Sequence, residues 1–521
     1  MEPTIKARLD ALLKFVPTGT TEGEKAILGE AFIRADEFAE IITPPPGSPR
    51  VLVGKKGAGK SAIIDFASRI LDKGKVPNIS LKPLDIDLSS MSTQSSVGEL
   101  TRTAYLCLLQ AIAGALSNNI RGLVNESDAE ILNSAIADGI QKPDFISRIA
   151  RTLPKVAKSW VQADLSEVLP NTSKSSAISL ERAISENISS SQTSIYIFID
   201  DTDQVAPPDQ SGQLNRIWAF LLATRELSER IPQVRCIVSL RDEIWRALSS
   251  EKAGQRDQTD HFLTLVYSLN PSLDHIQNIF ERRLQLAAKH LGIEGRENYY
   301  PLFFEGKLPK MPTSQKRTSW ADAIRTRCRE RPRDAIQLIN ALAKAALHPT
   351  PKLIDEDIFA TVMPSYSEQR VRLLAQEFEK ECPNMLELVR SFGGIEFDSD
   401  SFTSSAEALK DHLLVLPSSF SLNLFGQTVK PGTIQGVFLI WEFLYSVGFI
   451  YPRVSDSRQS KGYRHVLASD YPKFVTEKNW NKMQAALWEI HPAYRDYLIS
   501  VTEEKKASFG LPKKPTNKRR R

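Results

Sequence analysis

The sequence predicts an α/β protein in which a parallel sheet carries a phosphate-binding loop at its carboxyl edge, followed by helical segments and a smaller helix-and-strand region. Three observations predict it. A glycine-rich loop joins a short apolar strand to an amphipathic helix at 50–71, an apolar run at 195–199 is followed by two aspartates, and another at 234–240 is followed by an arginine.

Composition sets the frame. The 521 residues are 41% hydrophobic and 25% charged, as in ordinary globular chains, which excludes fibrous and largely disordered classes. At about 100–200 residues per domain the length suggests about three domains. No apolar run reaches the ~20 residues that span a bilayer. The nearest, 436–451, contains Glu442 and stops at Pro452. The N-terminus alternates charged and apolar residues at helical spacing, without a secretory core. A cytoplasmic protein without a membrane partner is expected. Cys107, Cys236, Cys328 and Cys382 lie too far apart in sequence for a CxxC site. Cys107 and Cys236, in apolar segments, read as small core residues.

The net charge of +5 is unevenly placed. Residues 505–521 hold eight basic side chains and no acidic one, so the remainder carries 59 basic against 62 acidic residues. The basic character belongs to the tail, which suits a polyanion such as nucleic acid.

Residues 50–53 read as a buried strand, and Ile63, Phe66, Ala67, Ile70 and Leu71 follow at helical spacing. Between them, 54–61 satisfies GxxxxGK[ST] in the strand–loop–helix context that this motif requires. Glycines allow successive N–H groups to point at phosphate oxygens, and the helix N-terminus adds partial positive charge. Gly54, Lys56, Gly57, Ala58, Gly59, Lys60 and Ser61 are therefore the candidate nucleotide-binding residues. Lys60 is placed to bridge the β- and γ-phosphates, and Ser61 to ligate Mg²⁺. The run IYIFI ends in Asp200-Asp201, where Asp200 is the expected Mg²⁺ partner and Asp201 the residue to polarise the attacking water. Asp203 is an assistant or a turn cap. Arg241, directly after the third strand, is placed to report the γ-phosphate, with a surface pairing to Asp242 or Glu243 as its alternative. Arg333, near the start of a helix over 329–348 with Pro332 in its first turn, is the candidate lid arginine.

With these motifs the chain resembles the additional-strand P-loop ATPases of the AAA+/STAND group. The stretch 198–204, FIDDTDQ, is similar to the acidic motif of soluble KAP-like ATPases, 239–241 to a strand-plus-arginine sensor, and 331–338 to a lid helix. The resemblance covers about residues 27–350. It implies a sheet in which the sensor strand separates the acidic strand from the loop strand, and ATP with Mg²⁺ as cofactors. It also implies slow turnover, since Asp201 stands where such enzymes carry glutamate.

The expected domains are an N-terminal helical segment (1–46), a P-loop core (47–270) with a helical insertion at 97–190, a helical lid (271–350), a C-terminal helical and winged-helix-like region (351–500), and a basic tail (501–521). Ahead of the core, 3–15 and 24–42 read as helices; within it, 79–90 read as an edge strand, 213–231 as helix and 262–269 as the last strand. Farther on, helix 433–447, strand 448–454, a basic turn and strand 463–470 form the winged-helix pattern, and 480–500 read as one helix. The turn and its flanks, 453–464, with Arg453, Arg458, Lys461, Tyr463 and Arg464, suit either phosphate contact or protein packing. The expected function is a Mg-ATP-dependent switch acting as a homo-oligomer or with a separate protein effector. The alternative is a DNA-binding ATPase, an origin-recognition-like loader or transposition helper, using 453–464 and 505–521.

Overall fold

A computed structural model describes residues 3–35, 37–86, 95–117, 180–182, 184–186, 188, 194–205, 212–249, 256–311, 316–395, 397–398, 402–459 and 461–508. Most of the expected insertion, 118–179, and the tail beyond 508 lie outside the described residues. The chain divides into two compact units, Glu24–Pro271 and a second made of Met1–Gly23 with Ser272–Arg521. The expected segment 1–46 is thus shared between them.

The first unit is built on a parallel sheet of β1 (Arg50–Gly54), β2 (Asn78–Leu81), β3 (Ile195–Ile199), β4 (Val234–Arg241) and β5 (Val266–Ser268), in the order β2-β3-β4-β1-β5. The acidic strand β3 is separated from the loop strand β1 by β4, the additional-strand arrangement. Val51, Val53, Ile197, Ile199, Val238 and Leu240 face helices Val97–Ser117 and Gln213–Arg230. Leu52, Phe198 and Ile237 face the other way, toward Ile63 and Ile64 of helix Lys60–Lys73. Helices on both faces explain why the central strands are mostly apolar, with β3 apolar throughout. Cys107 and Cys236 are both buried in this core.

Several boundaries differ from expectation. The strand expected at 79–90 ends at Leu81, because Pro83 opens a 3-10 turn, Pro83–Asp85, and has no N–H for a ladder. Of 262–269, the first residues end helix Arg256–Leu263, where the Phe262 ring meets Trp218 at 4.9 Å; only Val266–Ser268 is strand. Residues 24–42 break into short helices including Leu28–Ala31 and Phe38–Ile42, allowing Phe32 to stack on Phe66 at 4.2 Å. Helix Val97–Ser117 is a layer of the core, with Tyr105 donating to Glu181 at 2.7 Å.

The second unit is helical in its first part. Helix Ile5–Phe15 packs on Leu273–His290 and Pro332–Leu347. It passes into a small antiparallel sheet of β6 (Thr403–Ser404), β9 (Ile450–Ser455), β10 (Tyr463–His465) and β11 (Leu487–Ile490), ordered β10-β9-β11-β6, beside a hairpin of β7 (Asn423–Leu424) and β8 (Gln427–Thr428). Helix Ile434–Ser446, β9, the turn and β10 follow in the expected order. The helix expected over 480–500 is instead helix Trp480–Gln484, β11 and helix Pro492–Ser508. The alternation in Leu487-Trp488-Glu489-Ile490 sends Trp488 and Ile490 into the core and Leu487 out to solvent, a period of two hidden within a helix-length segment.

Buried charge organises this unit. Asp334, at the start of Pro332–Leu347, accepts from Arg329 Nε at 2.7 Å and from Arg370. Arg331 forms a two-bonded pair with Glu377 at 2.8 and 3.0 Å. Burial alone would raise the Asp334 carboxyl, but Arg329 and Arg370 hold it below the usual carboxylate range. Asp334→Ala leaves two buried guanidiniums without this partner. It is expected to destabilise the protein by about 3–5 kcal/mol in urea unfolding, as when one member of a buried pair is removed. The folded-state value is the depressed one, so this contribution is complete above the ordinary carboxyl value of about 4 and lost as pH falls through the folded value. Wild type and variant should therefore differ most at neutral pH and converge in acid.

Candidate functional site

The loop 54–61 springs from the end of β1. Gly54 has no room for a side chain, since a Cβ there would stand 3.0 Å from the Leu269 carbonyl oxygen. Gly59 has φ +107°, the left-handed region that favours glycine, and it precedes helix Lys60–Lys73 without a side chain to cap it. That leaves the first N–H groups of a 14-residue helix available to an anion. Ala58 N–H closes the loop onto the Lys55 carbonyl at 3.1 Å. Lys60 Nζ donates to the carbonyls of Gly54 at 2.6 Å and Lys55 at 3.2 Å, so its ammonium is held over the loop. Ala58 is buried, Ser61 half-buried and Lys56 exposed.

Sheet register supplies the acids. Val238 pairs with Ile199, so Ser239, the next residue on β4, lies beside Asp200. Ser239 Oγ donates to Asp200 Oδ1 at 2.6 Å. The Asp201 N–H points to the same Asp200 oxygen and to Ser239 Oγ, each at 3.0 Å. Asp201 itself has φ +54°, a left-handed backbone that aspartate tolerates better than most residues. Gly54 pairs with Arg241, which brings the end of β4 to the start of the loop. Arg241 Nε meets Asp203 Oδ2 at 2.9 Å, and its Nη1 lies 4.0 Å from Glu243 Oε1. Of the surface pairings weighed for Arg241, the Asp242 one is not made: Asp242 joins Arg246 at 2.7 Å along its own helix.

These groups perturb one another. Burial lowers the Lys60 ammonium below its usual range, while Glu243, Asp203 and Asp200 work against that and Arg241 adds to it. Burial raises the Asp201 carboxyl, with Asp200 and Asp203 acting in the same direction and Lys82 and Arg241 opposing. One edge of the sheet thus holds an amino group, hydroxyls and several carboxylates, the donor set for a metal-bound polyphosphate.

The structure brings Lys60, Asp200, Asp203 and Arg241 together. Arg333 belongs to the second unit, where its Nε donates to the Gly19 carbonyl at 3.2 Å. Ser239, within the 239–241 sensor stretch, and Glu243, an alternative surface partner of Arg241, carry no site role of their own in the sequence. Ser239 carried a signal, being a lone hydroxyl in an apolar strand with Val238 and Leu240 on either side. Glu243 reads simply as an acid in a helix's first turn.

In the region 453–464 most of the basic side chains have acidic partners. Arg453 meets Glu489 at 2.8 Å and lies 3.8 Å over the Tyr463 ring. Arg458 and Arg464 both reach Asp456, at 3.1 and 3.8 Å. Lys461 is exposed. Among the described residues no helix is long and apolar enough to cross a membrane.

The FunZ-associated C-terminal helical domain is the family whose model matches residues 274–375. The chain is 24% identical over 448 residues to the "Putative transposon gamma-delta 80.3 kDa protein" of Escherichia coli (strain K12), across 83% of this chain and 60% of that protein. It is 28% identical over 154 residues to an uncharacterized ABC transporter ATP-binding protein of Bacillus subtilis (strain 168), across 29% of this chain and 24% of that one. The chain therefore spans less than two thirds of the length of either of these curated relatives, 60% and 24%. Among solved structures it is similar to the Aeropyrum pernix ORC2 protein in ADPNP-ADP complexes, with a TM-score of 0.39 at 10% identity over 94% of this chain and 95% of that one. It is also similar to CDC6P from Pyrobaculum aerophilum, with a TM-score of 0.30 at 11% identity over 90% and 91%.

Ser239→Ala removes the hydroxyl that holds Asp200 without changing the strand. A hydrogen bond to a charged group contributes about 1.5–3 kcal/mol, and the variant is expected to lose that much in chemical unfolding. A loss below about 0.5 kcal/mol would show that Asp200 is held by other contacts.

Proposed function

We propose that this chain binds ATP with Mg²⁺ at loop 54–61 and hydrolyses it slowly, as a conformational switch that acts as a homo-oligomer or on a separate protein effector. One observation carries the reading: Lys60, Asp200, Asp203 and Arg241, drawn from the loop helix, the end of β3 and the end of β4, converge at the sheet's carboxyl edge. Ligands bind at such edges in open α/β sheets. Lys60 would exchange its two carbonyl partners for phosphate oxygens. The N–H groups of the loop and of the helix start would hold the rest of the triphosphate. Ser61 and Asp200 offer the hard oxygen donors that Mg²⁺ takes, and the ion would neutralise charge on the β- and γ-phosphates.

Arg241, held by Asp203, is the proposed γ-phosphate reporter at the end of β4, with Arg333 as its counterpart on helix Pro332–Leu347. The FIDDTDQ motif supports placement near the soluble KAP-like members of the AAA+/STAND group. Asp201 in the usual glutamate position supports slow turnover. A location in the cytoplasm, where ATP and Mg²⁺ are plentiful, fits this chemistry.

A second reading, a DNA-dependent ATPase of the transposition-helper type, is favoured by the transposon name of the E. coli relative and by the eight basic residues of 505–521. Phosphate release from Mg-ATP, with and without duplex DNA, separates the two. The switch predicts slow release indifferent to DNA, whereas the helper predicts acceleration by DNA that salt abolishes.

Lys60→Ala is expected to weaken ATP binding at least a hundredfold in a fluorescent-nucleotide titration while leaving the thermal melt within a few degrees of wild type. Its ammonium donates to two loop carbonyls, Gly54 and Lys55, and would meet the phosphates in this reading. Retained affinity in that variant would remove the nucleotide-site assignment.

A further inference from the structure

Helix Ile5–Phe15 gives way to Val16-Pro17-Thr18-Gly19, a strap with no helix or strand of its own. Its carbonyls need partners from elsewhere, and side chains supply them. Arg283 Nη1 donates to the Phe15 carbonyl at 2.8 Å, and Asn340 Nδ2 to those of Val16 and Pro17 at 2.7 and 3.0 Å. Gln337 Nε2 donates to the Thr18 carbonyl at 3.1 Å and Arg333 Nε to that of Gly19 at 3.2 Å. Arg333, Gln337 and Asn340 stand four and three residues apart, so one face of helix Pro332–Leu347 carries all three. Gly19 ends the strap in a left-handed backbone, φ +71°, where a Cβ would lie 2.9 Å from the Arg333 carbonyl oxygen and 3.1 Å from Arg333 Cγ. Arg333 also differs from its neighbours. Arg329 is bound by Asp334 and Arg331 by Glu377, whereas Arg333 makes no ion pair among the described residues. Its bond to Gly19 uses Nε alone. Nη1 and Nη2, the two amines that meet an anion side by side, have no hydrogen bond among the described residues.

We infer that strap 16–19 is the positioning element for Arg333, holding its guanidinium by Nε so that both Nη groups are offered together to the γ-phosphate. This deepens the ATP reading and rests on the role given there to Arg333. An arginine on a free stem must give up the freedom of several rotatable bonds when it meets a phosphate. One bond at Nε fixes the guanidinium plane in advance, and because the group is planar the two terminal amines are then aimed as well. A backbone carbonyl suits this task because it orients the cation without neutralising it. A carboxylate in that place would satisfy the cation, as Glu377 does for Arg331. Gln337 and Asn340 act through the strap. They pin the carbonyls before Gly19 to the helix that carries Arg333, so holder and held share one support.

The test compares ATP with ADP in the full chain, because only ATP has the phosphate that Arg333 would meet. Each nucleotide, with Mg²⁺, displaces a fluorescent analogue, and the ratio of the two affinities is read beside the thermal melt. Arg333→Ala is expected to lower the ATP-over-ADP preference by about tenfold or more, the scale of hydrogen bonds lost to a charged group. Arg333→Lys should fall nearly as far, since one ammonium cannot hold the carbonyl and also offer a two-amine edge. Gly19→Ala, and separately Gln337→Ala combined with Asn340→Ala, keep Arg333 but loosen the strap. Each is expected to lower the preference by about threefold or more while ADP affinity stays within about threefold of wild type. The double variant carries the test should Gly19→Ala fail to fold. A strap that serves stability alone would lower the melting temperature and leave the preference as it is. A change below about threefold in either folded variant therefore overturns the inference. So does an equal loss of ATP and ADP affinity, or an unchanged preference in Arg333→Ala. Failure of the ATP reading looks different: wild type would bind neither nucleotide, or Lys60→Ala would bind both as wild type does.

Discussion

The hydrogen bond from Ser239 Oγ to Asp200 Oδ1, 2.6 Å long, joins the ends of two neighbouring strands, and the candidate site follows from the register it marks. β4 lies between the acidic strand and the loop strand. Ser239 pairs with Leu52 of β1, and Val238 pairs with Ile199 of β3, so one strand aligns the acid on one side with the loop on the other. Side chains alternate along a strand. Val238 and Leu240 fill the face covered by Val97–Ser117 and Gln213–Arg230, and the residue between them turns to the opposite face. A slip of one residue would put a leucine beside Asp200 and a hydroxyl in the apolar core. The apolar pattern therefore enforces the polar geometry.

Charge is handled differently in the two units. At the sheet edge the cations Lys60 and Arg241 stand among several acids, and the interactions are graded: 2.9 Å from Arg241 to Asp203, 4.0 Å to Glu243, and carbonyls as the nearest partners of Lys60. Such partners can be exchanged when a polyanion arrives. In the second unit Asp334, Arg370 and Glu377 are fully or almost fully buried and closely paired. Separating ions there would leave charges without water, at a cost of several kcal/mol each. The first arrangement suits a ligand site and the second a fixed scaffold. Arg331, two residues before the candidate lid arginine, illustrates the difference: its two bonds to Glu377 commit it to the scaffold.

The core was legible because its signals are local. Loop 54–61 has its strand and helix in sequence, and the aspartates end an apolar run whose period identifies it. Helices such as Gln213–Arg230 and Leu273–His290 show one apolar face and fall within a residue or two of expectation. What was not legible depends on distant partners. Phe262 belongs to a helix because Trp218 receives its ring, and β11 is a strand because β9 and β6 lie beside it. Glu243 is an ordinary first-turn acid until β4 is placed against β1. Asp203, which pairs with Arg241, lies 38 residues earlier beyond another strand end, out of reach of any local sequence pattern.

The same dependence on partners bears on nucleic acid. Counted from sequence, 453–464 is a basic turn suited to phosphates. In the fold, Arg453 neutralises Glu489, while Arg458 and Arg464 share Asp456, so each arginine would have to give up an ion pair to gain a phosphate. Affinity for a polyanion comes from releasing its condensed counterions, one for each phosphate neutralised, and a guanidinium already matched by a carboxylate contributes little. Helix Ile434–Ser446, which precedes the turn, adds no positive charge: it is apolar along most of its length, and its one ionisable acid is Glu442. Uncompensated positive charge is instead concentrated in the sequence of 505–521, where eight basic residues stand without an acid among them. A tail of that kind supplies contact without reading bases, since phosphate contacts position a protein and base contacts specify the sequence.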